Sequence, residues 1–266
     1  MLSLILVAAM LMMTATTAFA DPSSPFSIFG DDDRVPVTST SGKNYSICKI
    51  KTVYSDDSVG YGTGFLISST KVVTAGHNVH YKTKAGKPKT AKSLVLNFGC
   101  SKNGTVKETV SFDCTADNLY YPSGWADNYD ADLDYAAIKL PKAVKGPTEY
   151  FTLSDSNDNL DDKTITMIGY EHHNYSIPPV YTNWTLLETS GKVIGSTTWR
   201  LYTRLDGMPG QSGSPVLYGG KVVALYTYSV NGSENHDPPY QYGDDDENFN
   251  QCTRITKSAS TALKNF

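Results

Sequence analysis

An all-β fold is what this 266-residue chain predicts, and three observations carry the prediction. Strand-forming tyrosine, threonine and valine are plentiful, with 18 tyrosines alone, and 21 glycines supply breaks between them. The apolar runs are short and separated by turn residues, as strands are. No stretch shows a helical period until Ser258 to Leu263, where a short C-terminal helix is expected. In chain order, Ser46 to Val53 and Gly62 to Ile67 read as strands. Ser69-Thr70-Lys71 is a turn, and Lys71 to Ala75 is a β-branched strand that runs into Gly76-His77. Leu94 to Phe98 and Val106 to Phe112 flank Asn103-Gly104, a strong hairpin dipeptide. Asp134 heads the apolar strand Tyr135 to Leu140, and the Pro- and Lys-bearing stretch Pro141 to Pro147 reads as a connector between halves. Thr164 to Gly169, Val180 to Leu187, Arg200 to Leu205 and Val222 to Tyr226 supply strands of the second half.

With 39% hydrophobic residues and a formal charge of −4, the chain can bury a substantial core as one or two domains. Its slight acidity argues against a nucleic-acid partner. Residues 1–20 combine an apolar run, Leu2 to Met13, with Ala18-Phe19-Ala20, the pattern of a secretory signal peptide, although no Lys or Arg precedes the run. No other stretch suits a membrane span, so an exported, extracellular protein is expected. In that compartment Cys48, Cys100, Cys114 and Cys252 suggest two disulfides. Three pairings are possible; the favoured one joins Cys100 to Cys114 across a hairpin and Cys48 to Cys252 near the chain ends. There is no Cys-x-x-Cys or His-Glu-x-x-His pattern, so no metal is expected, and Asp244-Asp245-Asp246-Glu247 lacks calcium-loop spacing and reads as a solvated acidic loop. Lys82, Lys84, Lys87, Lys89 and Lys92 read as a solvated face, with attraction of acidic substrates as the sharper alternative. Sequons stand at Asn44, Asn103, Asn174, Asn183 and Asn231.

The chemistry concentrates in Gly207-Met208-Pro209-Gly210-Gln211-Ser212-Gly213-Ser214-Pro215-Val216. Glycine and proline at this density fix a tight backbone, leaving the Ser212 hydroxyl uncovered and neighbouring N–H groups free for an oxyanion. A nucleophilic serine also needs a base and an orienting carboxylate. Val72-Val73-Thr74-Ala75-Gly76-His77 ends a strand in a small-residue turn that offers a histidine. Of the carboxylates between Asp127 and Asp134, only Asp134 lies directly against an apolar strand, where a buried, fixed aspartate belongs. The order His, Asp, Ser excludes the subtilisin and α/β-hydrolase arrangements.

Thr74-Ala75-Gly76-His77, Asp134…Ile138-Lys139-Leu140 and Gly210-Gln211-Ser212-Gly213-Ser214-Pro215-Val216 resemble the trypsin-like serine proteases, and in particular their glutamyl-endopeptidase branch. The likeness extends to Ser27-Ile28-Phe29-Gly30, Asp32-Asp33-Arg34, Tyr121-Pro122-Ser123-Gly124-Trp125 and Thr253-Arg254-Ile255-Thr256-Lys257. It implies two antiparallel six-stranded β-barrels, over residues 27–144 and 145–266, with the site between them. It also implies residues 21–26 as a short pro-segment of a zymogen, with a mature terminus near Ser27. His77 would be the base, Asp134 its orienting partner and Ser212 the nucleophile, with the N–H groups of Gly210 and Ser212 as the oxyanion hole. The expected substrate is a peptide or protein, cut by a monomer without cofactor or metal. The pocket wall falls on Tyr226, Thr227, Tyr228 and Ser229, with Tyr226 where the branch carries a histidine. Asp206, six residues before Ser212, is where trypsin-type enzymes bind Lys or Arg, but glutamyl-type relatives also carry an aspartate there in a structural role, so both acidic and basic preferences stay open. A non-catalytic homologue serving as a binding module is the alternative; an esterase would need a lid and acyl pocket that the sequence does not offer.

Overall fold

The computed structural model describes residues 28–29, 31–83, 86–172, 182, 184–230 and 249–266. The expected signal and pro-segments, Lys84, the 244–247 acidic run and the sequons at Asn174, Asn183 and Asn231 lie outside the described residues. The first half supplies strands β2 (Ile47–Tyr54), β3 (Val59–Ser68), β4 (Lys71–Thr74), β5 (His80–Lys82), β6 (Pro88–Phe98), β7 (Glu108–Asp113), β8 (Leu119–Tyr120) and β9 (Ala136–Lys139). They pair antiparallel in the order β5-β6-β2-β3-β4-β9-β8, with β7 on β6, and curl into a half-barrel. The second half supplies β10 (Thr164–Tyr170), β11 (Leu186–Ser196), β12 (Arg200–Thr203), β13 (Pro215–Tyr218), β14 (Lys221–Val230) and β15 (Phe249–Arg254). Their order β11-β10-β13-β14-β15-β12 closes through β11–β12 into a six-stranded barrel. Two antiparallel β-barrels is thus the architecture of the chain, one closed and one curled.

The alternation of the sequence explains the strands. In β6, Ala91, Leu94, Leu96 and Phe98 turn inward, and Lys92, Val95 and Asn97 are more exposed. Ile50, Leu66, Val72, Leu94, Leu96 and Ile138 fill the half-barrel, and Ile165, Met167, Val193, Leu201 and Val216 the closed barrel. A third cluster joins them, with Phe65 and Val73 from one sheet packed with Tyr170, Leu186 and Leu225 from the other. Helix α1 (Ser123–Asn128) buries Trp125, and α2 (Lys257–Asn265), the helix expected at the C-terminus, starts at Thr256, whose side chain accepts from Ala259 N. It buries Ala259 and Leu263, four residues apart on one face. Among the described residues no helix is long and apolar enough to cross a membrane.

Two expectations are corrected here. The amino-terminal segment does not stay with the first barrel: β1 (Val35–Pro36) pairs with β11, Val35 opposite Glu188. All four cysteines are free. In the β6–β7 ladder Phe98 faces Glu108 and Ser93 faces Asp113, so Cys100 and Cys114 lie beyond opposite ends of it. At about 3.4 Å per residue that ladder alone separates them by roughly 17 Å, against the 7 Å or so that a disulfide spans. Cys48 packs in the first barrel's core and Cys252 inside the second. Burial pushes the Cys100 thiol up to about 11 and the Cys114 thiol up to about 12, which leaves both protonated and unreactive at neutral pH. The lysine face is also partly neutralised, because Lys89 pairs with Asp56 and Lys92 with Asp57 in the β2–β3 turn.

Candidate active site

Strand register brings the histidine and the aspartate together. β4 and β9 run antiparallel with Thr74 opposite Ala136. His77, three residues past the end of that pairing on one strand, therefore meets Asp134, two residues before its start on the other. Asp134 is fully buried, and both its oxygens are bound to His77. Oδ2 lies 2.7 Å from the imidazole Nδ1, and Oδ1 accepts the His77 backbone N–H at 2.8 Å. A carboxylate acceptor makes Nδ1 the protonated nitrogen and leaves Nε2 as the base. Buried hydroxyls hold the same turn from below: Tyr54 Oη donates to His77 O at 2.9 Å and Thr52 Oγ1 to Asn78 O at 2.7 Å.

Ser212 reaches the site on the loop before β13, and the first barrel grips that loop. The Ser212 carbonyl accepts from Thr63 N at 2.9 Å and from Asn78 Nδ2 at 2.8 Å. Asn78 is the residue after His77, so the candidate base and nucleophile belong to segments joined by a direct hydrogen bond. The Ser212 hydroxyl donates to Thr227 O at 3.5 Å. Gly210 and Gly213 have φ of +88° and +87°, a region that favours glycine. A Cβ on Gly213 would overlap the Thr63 carbonyl and the Thr74 hydroxyl, and one on Gly210 would stand 2.5 Å from His172 N. The peptides either side of Gly210 are pinned, because His172 N–H donates to Pro209 O at 2.7 Å and Thr63 Oγ1 to Gly210 O at 2.8 Å. Neither the Gly210 nor the Ser212 N–H is taken up by an acceptor among the described residues, as an oxyanion hole requires.

The expected pocket residues divide. Asp206 is 1% exposed, and its two oxygens accept the backbone N–H groups of Phe29 at 2.8 Å and Asp33 at 2.9 Å. Of its two readings this favours the structural one over the partner of a basic substrate side chain: its carboxylate faces the amino-terminal segment. Tyr226 is buried in the core of the closed barrel, and a Cβ on Gly207, on the loop that leads to the serine, would overlap its hydroxyl. Thr227 contributes its carbonyl to Ser212, while its own hydroxyl turns to Gln251 O at 3.2 Å. The β14–β15 register shifts between Tyr226 and Tyr228. Tyr228 then stands beside the imidazole, ring centroids 5.7 Å apart. Burial and the nearby Asp134 carboxylate both push its phenol well above the usual tyrosine range. Ser229 lies opposite Asn250 in the same ladder.

Sequence reasoning missed Thr63, Asn78 and Gln211. Asn78 and Gln211 carried one signal, adjacency to His77 and Ser212; Thr63 carried none. Among the described residues no group of three or more His, Cys, Asp or Glu side chains is arranged to hold a metal ion.

Comparisons with known proteins agree with this geometry. A family model described as trypsin-like peptidase domain matches residues 62–225. The glutamyl endopeptidase of Bacillus licheniformis is 31% identical over 254 residues, covering 92% of this chain and 70% of that one. An extracellular metalloprotease of Bacillus subtilis is 26% identical over 210 residues, covering 76% of this chain and 63% of its own length. Among solved structures, a Glu endopeptidase in complex with MPD matches with a TM-score of 0.67 at 23% identity, over 89% of this chain and 97% of that one. An inactivated protease paralogue of the scabies mite matches at 0.55 and 13% identity, over 84% and 94%. At such identities the structural likeness speaks for the two-barrel fold alone. The family match and the 31% relative go further: the chain belongs to the trypsin-like peptidase family as a serine peptidase, and that family acts on peptide or protein substrates.

Proposed function

We propose that the chain is an exported endopeptidase that cuts peptide bonds through Ser212, with His77 as general base and Asp134 as its orienting carboxylate. Nε2 of His77 takes the hydroxyl proton as Ser212 Oγ attacks the scissile carbonyl, and the imidazolium returns it to the leaving amine. The acyl group stays on Ser212 until water, activated by the same nitrogen, releases it. The Gly210 and Ser212 N–H groups receive the oxyanion, each such donor worth roughly 100- to 1000-fold. The observation that carries this reading is the Asn78–Ser212 hydrogen bond of 2.8 Å, which ties the nucleophile's own carbonyl to the residue beside His77. Export rests on the apolar run Leu2 to Met13 and its Ala-x-Ala end.

Specificity follows from what the loop offers a side chain. With Asp206 bound to Phe29 N and Asp33 N, its carboxylate is not offered to a basic side chain at the cleaved position. Together with the 31% identity to a glutamyl endopeptidase, this favours acidic residues over basic ones at the cleaved position. Enrichment of Lys or Arg there in a peptide library would overturn this assignment.

A non-catalytic homologue is the second reading. One observation favours it: the Ser212 hydroxyl bonds to Thr227 O and, among the described residues, to no other group. At 3.5 Å that bond is at the limit of the interaction, so little holds the hydroxyl away from the imidazole. Labelling by a fluorophosphonate separates the two. The peptidase labels at Ser212, and Ser212→Ala loses on the order of a million-fold in kcat. Failure of correctly processed protein to label, or an alanine variant within about tenfold of the parent, leaves the binding module standing.

A further inference from the structure

The loop that carries the Gly210 and Ser212 N–H groups is held at both ends by the amino-terminal segment. At its start Asp206 accepts from Phe29 N and Asp33 N. At its end Gln211, fully buried, accepts Arg34 Nη1 on Oε1 at 3.2 Å. The same oxygen accepts Met208 N at 2.9 Å, and Gln211 N donates to Met208 O at 3.1 Å, so this side chain closes the tight turn that presents Gly210. Arg34 is 4% exposed. Its Nη1 also reaches Glu171 Oε2 at 2.8 Å, and its Nε and Nη2 fork onto Asp32 at 2.8 and 2.7 Å. Burial works against the guanidinium charge, but Asp32 and Glu171 outweigh it and hold Arg34 above its ordinary value. The segment is seated further by β1 on β11 and by Thr189 Oγ1 donating to Asp33 Oδ1 at 2.7 Å.

A planar cation with fixed donor directions transmits position well, because its fork admits one arrangement of acceptors. Arg34 meets acceptors on three residues: Asp32 of its own segment, Glu171 just past the end of β10, and Gln211 before the nucleophile. Loss of the cation leaves the buried Glu171 carboxylate without that partner and takes one of two donors from Gln211 Oε1. Gln211 Oε1 then keeps Met208 N as its donor alone, and the turn 208–211 loses its tie to the amino-terminal segment, which lets the Gly210 N–H swing. We propose that Arg34 is a positioning residue for catalysis: through Gln211 it fixes the loop that carries the oxyanion donors, so the seating of the amino-terminal segment sets the competence of Ser212.

This inference rests on the peptidase reading above, and its test keeps the two apart. The full-length processed protein is compared with Arg34→Met, Gln211→Met and the double variant by steady-state peptide kinetics, fluorophosphonate labelling and thermal melting. A misaligned oxyanion donor appears in kcat, with a fall of about 10- to 100-fold and KM within about threefold. Gln211→Met, which also takes the acceptor from Met208 N, loses at least as much as Arg34→Met, and the double is no worse than Gln211→Met, since the effect of Arg34 runs through Gln211. Guanidinium chloride at tens of millimolar restores part of the kcat of Arg34→Met and none of that of Gln211→Met, a response that a merely structural role would not give. Folded single variants with kcat within about twofold of the parent, or losses that multiply in the double, overturn the proposal. Where Arg34→Met does not fold, Gln211→Met decides by itself, because it leaves the Arg34 pairs with Asp32 and Glu171 in place. A parent protein that neither labels nor hydrolyses refutes the peptidase reading first, and this inference with it.

Discussion

The histidine half and the serine half of the site are built in different ways. His77 and Asp134 come from neighbouring antiparallel strands of one barrel, and a single buried carboxylate holds both the ring and the backbone of its partner. The arrangement is local and charge-assisted, so each bond is strong. Ser212 is held mostly by neutral groups from afar: Thr63 N, Thr63 Oγ1 by way of Gly210 O, Asn78 Nδ2 and Thr227 O. The difference teaches that the base depends on one ion, and the nucleophile on the docking of one barrel and the amino-terminal segment against the other. Damage to the first half should therefore act through one residue, and damage to the second should be shared.

The largest test of that contrast is Asp134→Asn. An amide in this place loses the charge and turns an N–H toward Nδ1, which favours the wrong tautomer; kcat should fall about 10⁴-fold with the fold intact. A loss of less than about tenfold would mean that His77 does not depend on this carboxylate. On the serine side Thr63→Val removes one hydroxyl and keeps the shape. The Gly210 carbonyl and the Tyr170 N–H, which donates to that hydroxyl at 2.9 Å, both lose a partner. We expect kcat to fall about 10- to 100-fold, stability to fall by about 1–3 kcal/mol, and Thr63→Ser to recover most of both. If Thr63→Val matched Asp134→Asn in kcat, the contrast between the halves would be lost.

The same contrast explains what the sequence revealed. His77 and Asp134 were legible because each joins a titratable group to an apolar strand, a local pattern. Ser212 was legible because glycine and proline mark a loop that must approach another backbone. Thr63 was not, since a threonine in a strand is ordinary and its partner Gly210 is 147 positions away. Asp206 stayed open between two roles for a related reason: its offset from Ser212 is visible in the chain, whereas the Phe29 and Asp33 N–H groups that occupy it arrive from 177 and 173 positions away. The cysteines failed differently. An even count reports on a compartment, and only the ladder register shows that Cys100 and Cys114 flank opposite ends of a hairpin. The barrels themselves were legible through short alternating runs, but nothing local foretold that β1 would cross to the second.

The smallest expected effect concerns His80, three residues past the candidate base. It is buried, stacked on Tyr121 at 4.6 Å, with Nδ1 2.8 Å from Thr90 Oγ1 and Nε2 3.1 Å from Tyr129 Oη. Two hydroxyls serve a neutral ring, one as donor and one as acceptor. Burial lowers its pKa, against a weaker upward pull from the Ala126 backbone and Asp127. A histidine whose folded pKa is lowered supports the fold fully above the unfolded value of about 6.5, and loses that support as pH falls from there through the folded value. One proton contributes at most about 1.4 kcal/mol per pH unit, so the slope is modest. His80→Phe keeps the stack and removes the titration. It should be less stable than the parent at pH 7.5, and the gap should close between pH 6.5 and 5 in denaturant melts. Identical pH slopes in the two proteins would remove His80 as the source. The Trp125 indole N–H donates to His80 O at 2.8 Å, and α1, which buries Trp125, leads by way of Tyr129 to the turn that ends in Asp134. Acid loosening should therefore reach the histidine half before the serine half, and peptide hydrolysis in the parent should fall earlier on acidification than in His80→Phe.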